Sequence, residues 1–391
     1  MDEGERVRKE AIRRHIEGEK PSHIYKDLDR SKSWFFKWIK RYHEGRDHWY
    51  KEFPRIPKSP YRKVEQNMEQ LIVNIRKRLE ETRYAQIGAG AIAWEIRKLD
   101  LEPPAVWTIN RVLKRNHLIK KQEKGYHPKG KIYPSIKADA VNELHQTDLI
   151  GPRYLHNKER FYSLNTMDIF CHKVKIKGLL FRNASAVTAG LIDVWKTLGI
   201  PHYCQFDNQQ VFSGSERRPR WFSKIIKLCL SLDIEPVFIP FREPWRMAQL
   251  ERFNDVWNKR FFRVQHFENF LQLQREERQF EVFHNNNHCY SILKGMTPQA
   301  FEDSLDFEPN LLDPDFSISD VSYKQKGKLH LIRFIRSDRM LDVFGEKFLL
   351  KQDCQYEYVK ATIYIKEQCL KVFLFDEFVQ EFKYDLPKKE K

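Results

Sequence analysis

No stretch of this 391-residue chain approaches the ~18 consecutive apolar residues that a membrane span requires, so no membrane association is expected. Cysteine is scarce. The six cysteines all fall after residue 170 and none stands in Cys-x-x-Cys spacing, which argues against a zinc or disulfide scaffold and for free thiols in a reducing compartment. The first residues, Met1-Asp-Glu-Gly-Glu-Arg, are charged and lack a signal-peptide core, so a cytoplasmic location is expected. Glycine-rich phosphate loops and dinucleotide fingerprints are missing. No serine or cysteine sits in an elbow or beside a paired histidine, and no repeat of solenoid period is present.

What the chain does carry is charge and apolar bulk. Hydrophobic residues make up 41% and aromatics 14%, which fits globular folding rather than disorder. The formal charge is +16, and residues 1–130 hold 31 Lys+Arg against 19 Asp+Glu, so +12 of it lies in the first third. A basic excess confined to one end suits a polyanion partner, most simply DNA, which adds association with the nucleoid to the expected location. An inert basic surface fits the count as well.

Residues 6–18, Ser22–Leu28 and Lys32–Tyr42 read as three helices, with Ser31 the N-cap of the third. Ile12, Ile16, Ile24, Leu28, Phe35, Trp38 and Ile39 supply a helical-period core. Lys32, Lys37, Lys40 and Arg41 then lie on or near the outer side of the third helix, the pattern of a helix-turn-helix that enters the major groove. A plain trihelical bundle with a solvated basic face has the same pattern. Pro54, Pro57 and Pro60 mark a stiff linker. A second helical set follows over Lys63–Thr82, Ala89–Leu99 and Trp107–Asn116, with Arg111, Lys114 and Arg115 on its last helix; Gln122–Lys137 is the next linker.

From Glu143 the pattern changes to strands at Leu144–Leu149, Phe161–Phe170 and His172–Phe181. Helices and strands then alternate: Ala184–Leu198, His202–Phe206, Trp221–Leu232, Pro236–Pro240 and Ala248–Phe262. This order is ribonuclease-H-like. Beyond Pro314 five short strands in about 60 residues suggest a small β-barrel. The fold class expected is multidomain α+β, with helix-turn-helix modules at 1–52 and 61–122, a ribonuclease-H-like α/β catalytic core at 136–308, and the small β-barrel at 316–387.

Three acids stand out in the core: Asp148 and Asp207 near strand ends, and Glu251 early on the last helix. Phosphodiester attack needs an activated oxygen nucleophile and relief of charge on the leaving oxygen. Two Mg²⁺ ions about 3.5–4 Å apart supply both. Mg²⁺, with Mn²⁺ a possible substitute, prefers carboxylate and phosphate oxygens and keeps several waters, so few carboxylates on rigid elements suffice. Asp148 would bridge both ions, with Asp207 and Glu251 each ligating one. Leu250, Phe253 and Trp257 anchor the Glu251 helix at i, i+3 and i+7. Asp168 and Asp255 rank below the three, as supporting or structural acids.

These residues resemble the insertion-sequence transposases and retroviral integrases that share the DDE catalytic core. Thr147-Asp148 matches the first-strand Asp of that family. Asp207-Asn208-x-x-Val211-Phe212 matches its Asp-Asn-Gly-x-x-Phe element. Pro244 with Leu250-Glu251-Arg252-Phe253-Asn254 resembles its Pro…Glu-Arg-x-Asn stretch. Phe283 to Pro298, with His288, Leu293, Gly295 and Thr297, resembles its closing element. The resemblance spans about residues 135–305, and tandem helix-turn-helix modules before such a core also fit.

What the resemblance implies is a DNA transposase: recognition of element terminal repeats, Mg²⁺-dependent strand cleavage, transfer of the freed 3′-OH to target DNA, and a homo-oligomer that pairs two ends. Arg252 would contact phosphate, with a solvated, salt-bridging arginine the other reading, and His288 would position DNA or the site's edge, with a structural role the other reading. His284 and His288 share a helical spacing that could also bind metal. Three departures stand out: Gln209 replaces the usual Gly, the common Asn-Gly before Glu251 is missing, and 44 positions separate Asp207 from Glu251, with Ser213–Arg220 as an inserted loop. No Cys precedes Cys171, so the zinc-binding N-terminal domain of retroviral integrases is not expected. A catalytically inactive, transposase-derived DNA-binding regulator and a simple Mg²⁺ nuclease remain the alternatives.

Overall fold

The computed structural model describes residues 3–45, 47–52, 64–119, 131–218, 220–322 and 326–387, in two compact units, Met1–Lys63 and Val64–Lys391, each taken by itself. The linker prolines Pro54, Pro57 and Pro60, and residues 122–130 of the second linker, lie outside the described residues. Among those residues no helix is long and apolar enough to cross a membrane.

The first unit is a trihelical bundle of α1 (Glu3–Ile16), α2 (Pro21–Asp27) and α3 (Lys32–His43). Pro21 opens α2, where its missing N–H costs nothing. Ser31 caps α3, its hydroxyl accepting from the Trp34 amide at 3.1 Å. Ala11, Ile24, Phe35 and Trp38 are buried between the helices. Ile16 is not part of that core: it ends α1 and is 62% exposed.

The second unit begins with another three helices, α4 (Gln66–Glu81), α5 (Ala89–Arg97) and α6 (Val106–Arg115), around Ile72, Ile75, Ile92, Ile96, Ile109 and Val112. Arg76 ties them internally: Nε donates to Glu80, Nη1 to the Ile87 carbonyl and Nη2 to the Leu118 carbonyl.

The strands that follow are β1 (Leu144–Tyr154), β2 (Arg160–Asp168), β3 (Val174–Leu179), β4 (Tyr203–Phe206) and β5 (Glu235–Phe238). The intervening helices are α7 (Ala184–Leu198), α8 (Gln210–Ser213) and α9 (Lys224–Ser231), and α10 (Ala248–Arg260), α11 (Phe270–Asn287) and α12 (Pro298–Asp303) come after β5. β1, β2 and β3 form an antiparallel meander, and β4 and β5 run parallel to β1, giving the spatial order 5-4-1-2-3 of a ribonuclease-H-like sheet. Helices α7 and α9 pack on one face around Leu191, Trp195 and Ile226; α10 and α11 pack on the other around Phe253, Trp257 and Phe280.

Strand β1 is longer than the sequence suggests, running to Tyr154, so Asp148 lies mid-strand rather than at its end. Strands β2 and β3 are shorter, because the Asp168 carboxylate accepts the turn amides of Phe170 and Cys171 at 2.8 and 2.9 Å and ends β2. The outward amides of edge strand β3 are covered by α11: Asn285 accepts from Val174 at 2.9 Å, Glu281 from Ile176 at 3.0 Å, and Glu277 from Gly178. A Cβ at Gly178 would come within 2.7 Å of Glu277 Oε2, so a side chain there would have to displace that carboxylate.

The expected separate β-barrel does not form among the described residues. The C-terminal strands β6 (Lys328–Phe334), β9 (Tyr358–Tyr364), β10 (Cys369–Leu374) and β11 (Glu377–Lys383) join the core sheet instead. Strand β6 pairs parallel to β5 (Val237 opposite His330, Phe238 opposite Leu331), and the whole sheet has nine strands in the order 11-10-9-6-5-4-1-2-3. Among the described residues only β7 (Met340–Val343) and β8 (Glu346–Leu349) pair apart, as a hairpin. The reason lies at β5, an otherwise open edge: an unpaired strand offers a row of donors and acceptors to the next strand that fits. Leu329, Leu331, Val359 and Ile363 share one hydrophobic core with Ile225 and Phe238.

Candidate active site

Parallel pairing of β1 with β4 runs from Leu144 opposite Tyr203 to Gln146 opposite Gln205. Two residues beyond that last pair stand Asp148, still on β1, and Asp207, just past the end of β4, each in step with the Gln146–Gln205 pair by the two-residue alternation of extended chain. Here the strands part: β4 ends at Phe206 while β1 continues. Parting of parallel strands beyond their carboxyl ends is where open α/β sheets characteristically place their sites.

Both aspartates are partly buried, and both carboxyls are shifted upward. Asp148 is pushed to about 6, first by burial and then by repulsion from Asp207, with Glu251 adding a smaller push. Burial raises Asp207, offset in part by the Gln209 amide, which donates to its Oδ1 at 2.9 Å. Glu251 is raised by burial.

Glu251 occupies the first turn of α10, seated by the buried Leu250, Phe253 and Trp257. One turn on, Asn254 Nδ2 donates to Asp148 Oδ2 at 2.9 Å, tying the helix to β1. Asn165, directly opposite Asp148 on β2, donates to Asn254 Oδ1 at 2.9 Å, and Ser163 donates to Asn165 Oδ1 at 2.7 Å. Asn254 closes the Leu250-Glu251-Arg252-Phe253-Asn254 stretch, and its i+3 spacing from Glu251 is the signal in the sequence that it faces the same site. Asn165 had none, because only the β1–β2 register reveals it.

The donor set of three carboxylates, two of them mutually repelling, suits a hard divalent cation. Among the described residues, however, no group of three or more His, Cys, Asp and Glu lies close enough to hold a metal ion. Asp207 and, less strongly, Glu251 act on the Asp148 carboxyl, whereas Glu251 is itself raised by burial alone.

At the family departures the local structure is ordinary. Gln209 has φ −57°, so the position does not demand glycine, and its side chain donates to the Leu149 carbonyl of β1 at 3.3 Å. Arg220, at the end of the stretch expected to be an insertion, binds Glu346 on β8 through two hydrogen bonds of 2.9 and 2.7 Å. Asp168 is fully buried. Burial alone would raise its carboxyl, but His145 and the backbone amides of Cys171 and Asn142 hold it below its usual value. Asp255 pairs with Lys259 at 2.6 Å on the surface.

Of the expected DNA-contacting residues, Lys32, Lys37 and Lys40 are exposed on α3, while Arg41 donates to the Lys51 carbonyl at 3.2 Å and lies 4.6 Å over the Trp38 ring. On α6, Arg111 and Lys114 are exposed, Arg111 lies 5.7 Å from the exposed Trp107 ring, and Arg115 is ion-paired to Glu69 of α4. Arg252 is exposed. His288 is buried, stacked 4.3 Å from the His284 ring, with Nε2 at 2.7 Å from Gln86 of the α4–α5 turn. Burial, then His172, pushes His288 down to about 3, so it is neutral. His284 bonds the Tyr290 hydroxyl at 3.0 Å. A cavity of about 300 Å³ beside them is bordered by Gln86, Gln249, Arg252, Arg260, His288 and Tyr290.

Comparison with known proteins adds one domain. Residues 2–50 match a family described as a homeodomain-like domain. No curated protein sequence matches. Among solved structures, the chain is similar to the HTLV-2 integrase catalytic core domain in complex with magnesium (16% identity, 42% of this chain and 99% of that one, TM-score 0.33). It is also similar to the simian T-cell lymphotropic virus intasome in complex with a PP2A regulatory subunit (14%, 76% and 93%, TM-score 0.37) and to the BIV integrase catalytic core (14%, 42% and 95%, TM-score 0.32). The ribonuclease-H-like character of the sheet rests on its own strand order.

Proposed function

We propose that the chain is a DNA transposase of the DDE transposase/integrase family, cutting DNA at the ends of its element and joining the freed 3′-OH to target DNA. The observation that carries this reading is the placement of Asp148 and Asp207 at the fork of β1 and β4, with the Glu251 helix tied to Asp148 through Asn254.

Asp148, Asp207 and Glu251 would hold Mg²⁺. Bound there, the cations supply activation of the attacking oxygen and relief of charge on the leaving oxygen. The chain's own side chains do the rest. Asn254 fixes the Asp148 carboxylate, and Gln209 holds the Asp207 turn against β1. Arg252, exposed beside Glu251, takes backbone phosphate, and His288 backs the Gln86 turn at the edge of the site. The homeodomain-like unit and the second helical set supply recognition of terminal repeats through Lys32, Lys37, Lys40 and Arg41 and through Arg111, Lys114 and Arg115. Assembly as an oligomer on paired ends completes the reading, with nucleoid DNA in the cytoplasm as its setting.

A second reading is a DNA-binding regulator without catalysis, favoured by the lack of a closed three-acid cluster among the described residues. Nicking of duplexes drawn from the DNA flanking its own coding sequence separates the two. Mg²⁺-dependent nicks from wild type, lost in Asp148→Asn and Asp207→Asn, support the enzyme; binding of those duplexes without nicks in either Mg²⁺ or Mn²⁺ supports the regulator.

A further inference from the structure

Arg333 on β6 is 3% exposed, yet none of its hydrogen bonds goes to a carboxylate. Its Nη1 donates to the carbonyls of Ile239 (2.9 Å) and Ile332 (3.0 Å), its Nε to the Asp342 carbonyl (3.1 Å), and its Nη2 to Asn208 Oδ1 (2.9 Å). Asn208 Nδ2 in turn donates to the same Ile239 carbonyl at 2.6 Å, closing a ring of three residues. The guanidinium lies 4.4 Å over the Phe241 ring. Burial pushes Arg333 down to about 10, so it stays charged at neutral pH.

Burying a guanidinium is costly, and a methionine would fill the space without desolvating a charge. What the arginine adds is geometry. Its rigid fork reaches two places at once: Asn208, the neighbour of Asp207, and Ile239, where the chain leaves β5 toward the Glu251 helix. A second contact acts in the same direction. The Tyr358 hydroxyl on β9 lies 2.8 and 2.9 Å from the Glu243 oxygens, and Arg246 donates to Glu243 at 2.8 Å while stacking 4.0 Å over Tyr133. These pin the Pro244–Met247 turn that leads into α10.

We propose that Arg333 is a positioning residue, through which the appended C-terminal strands set the placement of Asp207 relative to Glu251. The proposal rests on the catalytic reading of those two acids given above. A misplacement of about 1 Å in such a site costs on the order of 100-fold in rate, so a smaller slackening should still be measurable.

The test compares full-length wild type with Arg333→Met, Arg333→Lys, Asn208→Ala and the Arg333→Met/Asn208→Ala double variant. Peptide-resolved hydrogen exchange and Mg²⁺-dependent nicking of the flanking-DNA duplexes are both followed. For Arg333→Met, exchange should quicken over 205–213 and 239–247 and stay unchanged over β1–β3. Its kcat should fall about 10-fold or more with the KM for DNA within about twofold. Arg333→Lys should recover part of the loss, and the double variant should be no slower than the slower single one.

Unchanged exchange in those two segments overturns the proposal. So does an unchanged kcat, or a loss that only tracks uniform loosening of the sheet. If Arg333→Met does not fold, Asn208→Ala reads the same contact from the other side with the same two outcomes. If wild type nicks nothing, the catalytic reading fails, and exchange over 205–213 and 239–247 alone decides whether Arg333 holds these segments.

Discussion

Asn254 donates to Asp148 across 2.9 Å, three residues after Glu251 on the same helix. A neutral amide thus steadies a carboxylate that burial and a neighbouring acid both disfavour in its charged form. It also fixes the register of the Glu251 helix against β1, so two acids from distant parts of the chain share one support.

Replacing Asn254 by alanine should therefore slow Mg²⁺-dependent nicking about 10-fold while leaving DNA binding unchanged. Asn254→Asp should be slower still, because it adds a like charge against Asp148. Single-turnover nicking alongside a binding titration checks both; equal rates in wild type and Asn254→Ala would remove Asn254 from the site.

Glu277 offers a pH test away from the acids. Fully buried against Gly178 and Ser163, it is pushed up to about 8 from an ordinary 4.5. An acid whose folded pKa is raised holds its proton in the folded chain after the unfolded chain has lost it. Stability is then fullest below pH 4.5 and declines as pH rises to 8, by up to ~1.4 kcal/mol per pH unit. Glu277→Gln keeps an acceptor for Gly178 and should flatten that decline, matching wild type near pH 4.5 and exceeding it at pH 8. Urea melts across this range measure it, and parallel curves would contradict it.

The exposed lysines of α3 make a salt prediction. If Lys32 and Lys40 each meet one DNA phosphate, each alanine substitution should lower the slope of log Kd against log salt by about 0.9. Binding that is insensitive to salt in wild type would count against recognition through this helix.

The continuous sheet makes another. A chain ending at Ser322 would leave β5 as an open edge and expose Ile225 and Phe238, so it should aggregate rather than remain as an independent core. A monodisperse, cooperatively melting product would show that the appended strands are dispensable for folding.

Much of this was legible in the sequence where the signal is local. Ser31, with Lys32–Tyr42 behind it, reads as a capped helix, and the helix observed is Lys32–His43. The order of the strands and longer helices from Leu144 to Arg260 follows from periodicity, and with it the placement of Asp148 on β1, Asp207 just past β4 and Glu251 on α10. What local pattern could not give was pairing. Strand β6 is buried on both faces, which marks an interior strand, but His330 and Arg333 interrupt its apolar run and disguise it. His330 is satisfied by Glu235 at 2.7 Å and Arg333 by Asn208, partners about 95 and 125 residues away that no window of sequence contains. The same is true of Asn165, whose importance depends on lying opposite Asp148.

The central claim is tested most directly by joining. Labelled duplexes ending in the flanking-DNA termini, with a free 3′-OH, are incubated with a supercoiled plasmid, Mg²⁺ and either wild type or Asp148→Ala. Covalently joined label with wild type, absent with Asp148→Ala and with EDTA, is the expected result. Tight binding of the same duplexes with no joined product in Mg²⁺ or Mn²⁺ would contradict it.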